Sequence, residues 1–173
     1  DYPRAADLPM PGFAAGPCLF KDTMQLAAFN RNNFVLGHSA MLINEGLPNF
    51  IIGQLKQSFP LSEMRVGILG MTFKADCDDP RESLCYKLRK LLECESREVL
   101  CTDVYVRDPS FVPVEELLAR ADLIILGTPH REYAKLAIPA STPVWDIWNF
   151  FGAGGEISNR GAGPGPARSL RGA

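Results

Sequence analysis

Cys18 is followed by Lys21 and Asp22 in GPCLFKD. A cysteine acts as a nucleophile only as the thiolate, which a nearby cation or a helix N-terminus favours. A helix beginning near Leu19 would put Cys18 at such an end. By residue type alone the thiol reads first as a half-buried structural one, since free cysteines are usually buried. Asp22 reads first as a helix-start carboxylate stabilised by the dipole. Gly12 and Gly16 ahead of the thiol allow a backbone to approach a ligand closely, and Pro17 stiffens the entry.

The second cluster is VGILGMTFKADCDDPRES, from Val66 to Ser83. It begins as an apolar strand, passes through a loop carrying Phe73 and Lys74, and turns into a helix. Asp79 fits an N-cap, Pro80 the first helical position, and Glu82 the third residue of a capping box. Strand, loop and helix N-terminus together make a phosphate cradle, because free N–H groups and the dipole point at one spot. On this reading Arg81 sits in the first turn, where a cation costs about 0.3–1 kcal/mol against the dipole. Either a phosphate or pyrophosphate repays that cost, or Arg81 pairs with Asp78 or Glu82 on the surface. Asp76, Asp78 and Asp79 would repel a phosphate unless they cap the helix or bind the cations.

The elements that must position these residues follow from hydrophobic spacing. Strands are expected at Met64–Gly70, Glu98–Thr102, Asp122–Leu126 and Val144–Ile147. Helices are expected at Ser83–Glu93, after Pro113, and near Arg131–Leu136. Alternating strands and helices mean an α/β fold with a parallel sheet, whose ligands bind beyond the carboxyl ends of the strands. Lys74, Arg81, Asp103 and His130 all follow strand ends and can share that edge. Upstream, Leu26 to Phe59 reads as helical, with a stripe of Leu36, Ala40, Ile43, Leu47, Ile51, Leu55 and Phe59. Gly46 and Pro48 predict a kink or break near Leu47. His38 and His130 read as structural.

The totals bound the class. The chain has 173 residues, 46% of them apolar, which is enough for one domain plus something smaller. A net charge of −2 marks no nucleic-acid or membrane surface, and no apolar run approaches the roughly 20 residues of a membrane helix. No signal peptide opens the chain, and a first residue other than Met reads as a fragment or a processed product. Cysteines at 18, 77, 85, 94 and 101 show no C-x-x-C spacing, so zinc and redox sites are not expected and a reduced, cytoplasmic protein is. Cys85, Cys94 and Cys101 read as small buried hydrophobes. Gly67 and Gly70 give G-x-x-G, without the full dinucleotide fingerprint. Residues 1–11 read as coil and 151–173 as a disordered tail.

FKADCDDPRES resembles the F-K-x-x-x-D-D-x-R-E-S signature of the UDP-glucose/GDP-mannose dehydrogenase family. GFAAGPCLFKD, from Gly12 to Asp22, is similar to that family's G-G-S-C-x-x-K-D loop. The resemblance covers about Leu8 to Phe150. It implies a Rossmann-like three-layer sheet at 61–150 that binds the nucleotide-sugar, preceded at 1–60 by the end of a helical dimerisation domain with the nucleophile loop. It implies an NAD-dependent nucleotide-sugar 6-dehydrogenase serving polysaccharide biosynthesis, in which a UDP- or GDP-hexose is oxidised twice to the uronic acid through a cysteine thiohemiacetal and thioester. Cys18 then aligns with the catalytic cysteine, and Asp22 with the aspartate that positions or activates water. Gly12, Phe13, Phe73 and Lys74 face the sugar nucleotide, with Lys21 as electrostatic support. Arg81 reaches NAD, most of which an N-terminal domain ahead of Asp1 would bind, and Asp103 faces a ribose. The central helix implies a homodimer. Two positions depart from the pattern. The loop reads Ala-Gly-Pro-Cys, and the family's D-x-R is Asp146-Ile147-Trp148, with no arginine to hold the nucleotide-sugar. A nucleotide-sugar-binding or dimerisation module without chemistry is the alternative, and a flavodoxin-like partner-binding domain would leave Gly12–Asp22 unexplained.

Overall fold

The four short apolar runs form four parallel strands in the computed structural model, which describes residues 12–152. The coil expected at 1–11 and nearly all of the tail expected at 151–173 lie outside the described residues. Strands β1 (Arg65–Leu69), β2 (Glu98–Thr102), β3 (Leu123–Leu126) and β4 (Val144–Asp146) lie in the order β2-β1-β3-β4. Leu69 pairs with Thr102 on one side and Leu126 on the other, and Leu126 pairs with Asp146. All four carboxyl ends therefore form one row. The chain leaves β1 toward β2 and returns to β3 on β1's other flank, which opens a crevice at that reversal.

The strands are apolar on both faces, as a sheet covered twice must be. In β1, Val66 and Ile68 face one core while Leu69 faces the other; in β3, Leu123 and Ile125 alternate with Ile124 and Leu126 in the same way. The first core is closed by α3 (Leu84–Glu95) through Leu84, Leu88 and Leu92, and by the carboxyl half of α2 (Val35–Ser58) through Ile51, Ile52 and Leu55. The second is closed by α4 (Val114–Arg120) through Leu117. This is the expected three-layer Rossmann-like α/β architecture. Gly67 serves α4 rather than a ligand: a Cβ there would stand 2.6 Å from Leu117 Cδ2.

Two helix boundaries differ from the sequence expectation. The region from Leu26 to Phe59 is not one helix broken near Leu47. A first helix, α1 (Leu19–Phe29), ends at Asn30-Arg31-Asn32-Asn33, where Arg31 and Asn32 take φ of 50° and 60°. The N–H of Asn32 turns back to the Ala27 carbonyl at 2.8 Å and closes the helix. Helix α2 then runs through Gly46 and Pro48 without interruption. The helical ladder loses one donor at Pro48, a cost the packing of Pro48, Ile51, Ile52 and Leu55 offsets. The second difference concerns α3, whose N-cap is Ser83 and not Asp79. Ser83 Oγ accepts from the Cys85 N–H and donates to the Thr72 carbonyl, while Asp79 is engaged elsewhere. Two cross-helix contacts tie α2 to α3: Lys56 to Glu95 at 2.7 Å, and Lys87 Nζ to the Glu45 carbonyl at 2.6 Å.

The helical stripe is buried along only half its length. Ile51 and Leu55 are buried and Leu47 and Phe59 half-buried, whereas Leu36 is 84% and Ile43 69% exposed. Among the cysteines, Cys85 and Cys101 are buried as expected, but Cys94 is exposed because it falls on the outer side of α3. Leu88 has no exposed surface and lies where α3, α2 and β1 meet. Leu88→Ala is expected to lower the unfolding free energy by about 2–5 kcal/mol, read as an earlier urea midpoint at an unchanged m value.

Candidate functional site

Two loops meet beyond the carboxyl ends of β1 and β4. The first runs from Gly70 to Ser83. It needs Gly70, whose φ is +87° and whose Cβ would stand 2.5 Å from the Thr128 carbonyl. The second runs from Gly12 to Cys18 and is anchored from α2: the Asn44 carboxamide accepts the Ala14 N–H at 2.9 Å and donates to the Ala14 carbonyl. Its glycines sit where side chains cannot. Gly12 has φ +139°, and a Cβ there would overlap the Trp148 indole at 2.1 Å. Gly16 has φ +132°, and a Cβ there would come within 3.2 Å of the Phe73 ring. Residues distant in sequence thus become spatial neighbours: the thiol loop lies on the Phe73–Lys74 loop.

Between them is a pocket of about 380 Å³ lined by Phe13, Leu19, Phe73, Lys74, Pro129 and Trp148, among others. That volume suits a small-molecule ligand, and the walls are apolar with one cation. Lys74 is exposed, its ammonium 5.6 Å from the centre of the Phe73 ring. Trp148 Nε1 donates to the Gly127 carbonyl at 2.8 Å, so the indole is fixed at the position where the resembled D-x-R pattern has arginine. A larger hollow of about 650 Å³ opens beyond β2 between Val106, Phe111 and Tyr133. It contains none of the residues singled out for chemistry except the edge of Asp103.

Of the predicted residues, the structure brings Phe13, Phe73 and Lys74 into one pocket and puts Gly12 and Gly16 behind its walls. Cys18 is exposed at the N-cap of α1, one residue before Leu19, as a helix start at Leu19 requires. Asp22 lies a turn further and its N–H bonds the Cys18 carbonyl at 2.8 Å. Lys21 and Asp22 are paired with each other at 3.3 Å, both mostly exposed. Arg81 pairs with neither Asp78 nor Glu82. Its guanidinium grips both oxygens of Asp79, at 2.7 Å for Nη2 and 2.9 Å for Nε. The Arg81 hydrogen bonds hold the Asp79 carboxyl down at about 2. This pair is what removes Asp79 from capping; Arg81 stands before the helix and not in its first turn. The Cys18 sulfur lies within electrostatic reach of the guanidinium.

Asp103 does not face a ribose. Its side chain has no exposed surface and its oxygens accept the N–H groups of Met71 at 2.6 Å, Tyr105 at 2.8 Å and Val106 at 3.0 Å, with His130 Nε2 at 3.2 Å. Burial pushes its carboxyl up, but those four bonds outweigh burial and hold it below the usual carboxylate range. Asn44, Pro129 and the contact face of Trp148 were not foreseen as parts of the site; no local pattern marks them. Among the described residues no group of three His, Cys, Asp or Glu is placed to hold a metal, and no helix is long and apolar enough to cross a membrane.

Residues 67–153 match the UDP binding domain of the UDP-glucose/GDP-mannose dehydrogenase family. The chain belongs to this family. It is 33% identical over 132 residues to the UDP-N-acetyl-D-mannosamine dehydrogenase of Pyrococcus horikoshii, covering 73% of this chain and 31% of that protein. It is 31% identical to the enzyme of the same name from Methanocaldococcus jannaschii, covering 76% and 31%. The solved UDP-D-ManNAc dehydrogenase structure from Pyrococcus horikoshii superposes with a TM-score of 0.71 at 30% identity, over 82% of this chain and 36% of that one. A UDP-glucose dehydrogenase structure from Pyrobaculum islandicum gives 0.69 at 25%, over 79% and 34%. The chain thus spans about a third of the length of the curated relatives it matches.

Four of the five thiols separate by surroundings. Burial pushes Cys85 up to about 11 and Cys101 up to about 12, while Cys18 and Cys94 are exposed. In the native chain at pH 8, a maleimide is expected to label Cys18 and Cys94 and to leave Cys85 and Cys101 until denaturant is added. Peptide mass mapping reads the order.

Proposed function

We propose that this chain is the nucleotide-sugar-binding part of an NAD-dependent nucleotide-sugar 6-dehydrogenase, with a UDP- or GDP-sugar in the pocket between the two loops. The observation that carries the reading is the contact of Gly16 on Phe73, which joins the Cys18 loop to the Lys74 loop. On this reading 1–60 ends the helical dimerisation domain and 61–150 is the sugar-nucleotide domain. Lys74 meets a phosphate or sugar oxygen, Phe73 and Phe13 cover the ligand's apolar face, and Gly12 keeps the wall flat. Lys21 adds positive potential.

The chemistry rests on Cys18 and Asp22. Cys18 Sγ adds to the aldehyde carbon left by the first oxidation and forms a thiohemiacetal. Loss of the hydride and the hydroxyl proton turns this into a thioester. Water held by Asp22 attacks the thioester carbonyl, the C–S bond breaks, and the uronic acid leaves with the thiol restored. NAD, when bound, is the hydride acceptor in both oxidations. Among the described residues, Arg81 fits one contact to it: an exposed guanidinium pre-oriented by Asp79, suited to a phosphate at the edge of the domain. One arginine makes no dinucleotide site, so the chain alone is expected to reduce no NAD, and the hydride acceptor belongs to an N-terminal domain. A cytoplasmic location follows from this role and from the free cysteines.

The likeness to the two archaeal UDP-N-acetyl-D-mannosamine dehydrogenases makes UDP-N-acetylmannosamine the first ligand to test. Trp148 in place of the D-x-R arginine favours a second reading, a binding module without turnover. Calorimetric titration with UDP-N-acetylmannosamine, UDP-glucose and GDP-mannose separates these from no nucleotide function. One sugar nucleotide is expected to bind, and Lys74→Ala to weaken it about tenfold or more, as loss of a charge-assisted bond requires. Equal binding by the variant would place the site elsewhere.

A homodimer is proposed to cover Leu36, Leu42, Ile43 and Phe50, which an isolated chain would leave in water. Sedimentation velocity is expected to give a dimer for the chain and a folded monomer for Leu36→Glu/Ile43→Glu.

A further inference from the structure

His130 reads in the sequence as a turn residue, but its side chain is fully buried at the end of β3. Both ring nitrogens are used. Nδ1 accepts the Asp76 N–H at 3.0 Å. A backbone N–H only donates, so Nδ1 carries no proton and the proton sits on Nε2. Nε2–H then points at Asp103 at 3.2 Å and Thr72 Oγ1 at 3.3 Å. Thr72 spends its own proton on the Lys74 carbonyl at 2.8 Å. Tyr105 and Tyr133 hold the ring edge-on at 5.0 and 5.4 Å. The residue bonded to Nδ1, Asp76, sits at φ 55°, in the left-handed region that glycine, asparagine and aspartate adopt more readily than other residues.

We propose that His130 is a positioning residue for the Phe73–Lys74 segment: the neutral Nε2–H imidazole pins it from both sides, Met71–Thr72 through Asp103 and Thr72 Oγ1 and Asp76 through Nδ1, and a second proton on the ring unlatches it. The consequence for ligand binding rests on the nucleotide-sugar reading above; the latch itself does not. Protonation puts an N–H on Nδ1 facing the Asp76 N–H, so two donors confront each other and the bond is lost. The groups facing the ring from each packed element are these. The Asp103 carboxylate follows β2 and lies 3.2 Å from Nε2. The Asp76 carboxylate is paired to Arg131 at 2.8 Å. Tyr105, whose hydroxyl is bound to Glu132, and Tyr133 present rings without charge. The buried Cys85 thiol of α3 stands beside Thr128 at 3.8 Å and adds none. A second ring proton leaves the Asp103 contact in place and breaks the Asp76 bond, so the side of the segment that follows Lys74 is the one released.

The test is nitrogen-15 NMR of the imidazole together with amide hydrogen exchange of the full chain from pH 5 to 8. The ring is expected as the Nε2–H tautomer at pH 8. The Asp76 amide is expected to exchange about tenfold or more slower than in His130→Phe, and to lose that protection in step with uptake of the ring proton. Ile68 and Ile125 amides should hold in both proteins and report that the sheet is intact. His130→Gln should restore protection at Met71–Thr72 only. An Nδ1–H tautomer, or Asp76 exchange that ignores the ring's titration in the wild-type chain, overturns the proposal without need of any variant. The readout uses no nucleotide. Failure of the chain to bind UDP would therefore count against the proposed function alone, and UDP affinity unchanged as the latch opens would overturn its link to the site.

Discussion

The carboxylate of Asp103 is the point on which the ligand edge of the sheet depends. A charge without exposed surface survives only if its lone pairs are filled, and here they are filled from three crossovers: Met71 after β1, Tyr105 and Val106 after β2, and His130 after β3. Each of these loops is exposed at its tip and would have many shapes on its own. The buried anion selects the one shape in which every bond is made. A residue positioned to receive a ribose in a dinucleotide fold is used in this chain to assemble the loops instead.

From that anchor the site is built outward by close backbone approach. Gly70 lets β1 turn beneath Thr128; Gly16 lets the thiol loop lie on Phe73; Gly12 lets it lie on Trp148. The three contacts are steric, and each is available only to a residue without Cβ or with positive φ. Trp148 then takes part in both cores and in the pocket wall at once, with its N–H on the Gly127 carbonyl. Replacing a cation by an indole makes the pocket more apolar and leaves Lys74 as its charge.

Helix α2 joins the two ends of the described chain. Its carboxyl half closes the sheet's first core, and its middle, through Asn44, holds the Cys18 loop at Ala14. Its amino half shows apolar residues to solvent. One amphipathic stripe is thus divided between an intramolecular core and a face that the proposed dimer would cover.

The sequence alone determined the strands almost to the residue, because fully buried parallel strands are short unbroken apolar runs that few other elements imitate. It also determined the family, since two long motifs in the right order leave little room for chance, and three residues it singled out, Phe13, Phe73 and Lys74, line one pocket. It misread the helix boundaries for a physical reason. Caps and breaks depend on which hydrogen bond wins. Asp79 could cap α3 or grip Arg81, and only the folded loop shows that it grips Arg81 while Ser83 caps. Pro48 could break α2, but the cost is offset where Ile51, Ile52 and Leu55 pack, and the asparagines at 30–33 end α1 instead. The contacts that Asn44, Trp148 and His130 make became visible only in three dimensions. Their partners lie 30, 21 and 54 residues away, and no local pattern carries a contact over that distance.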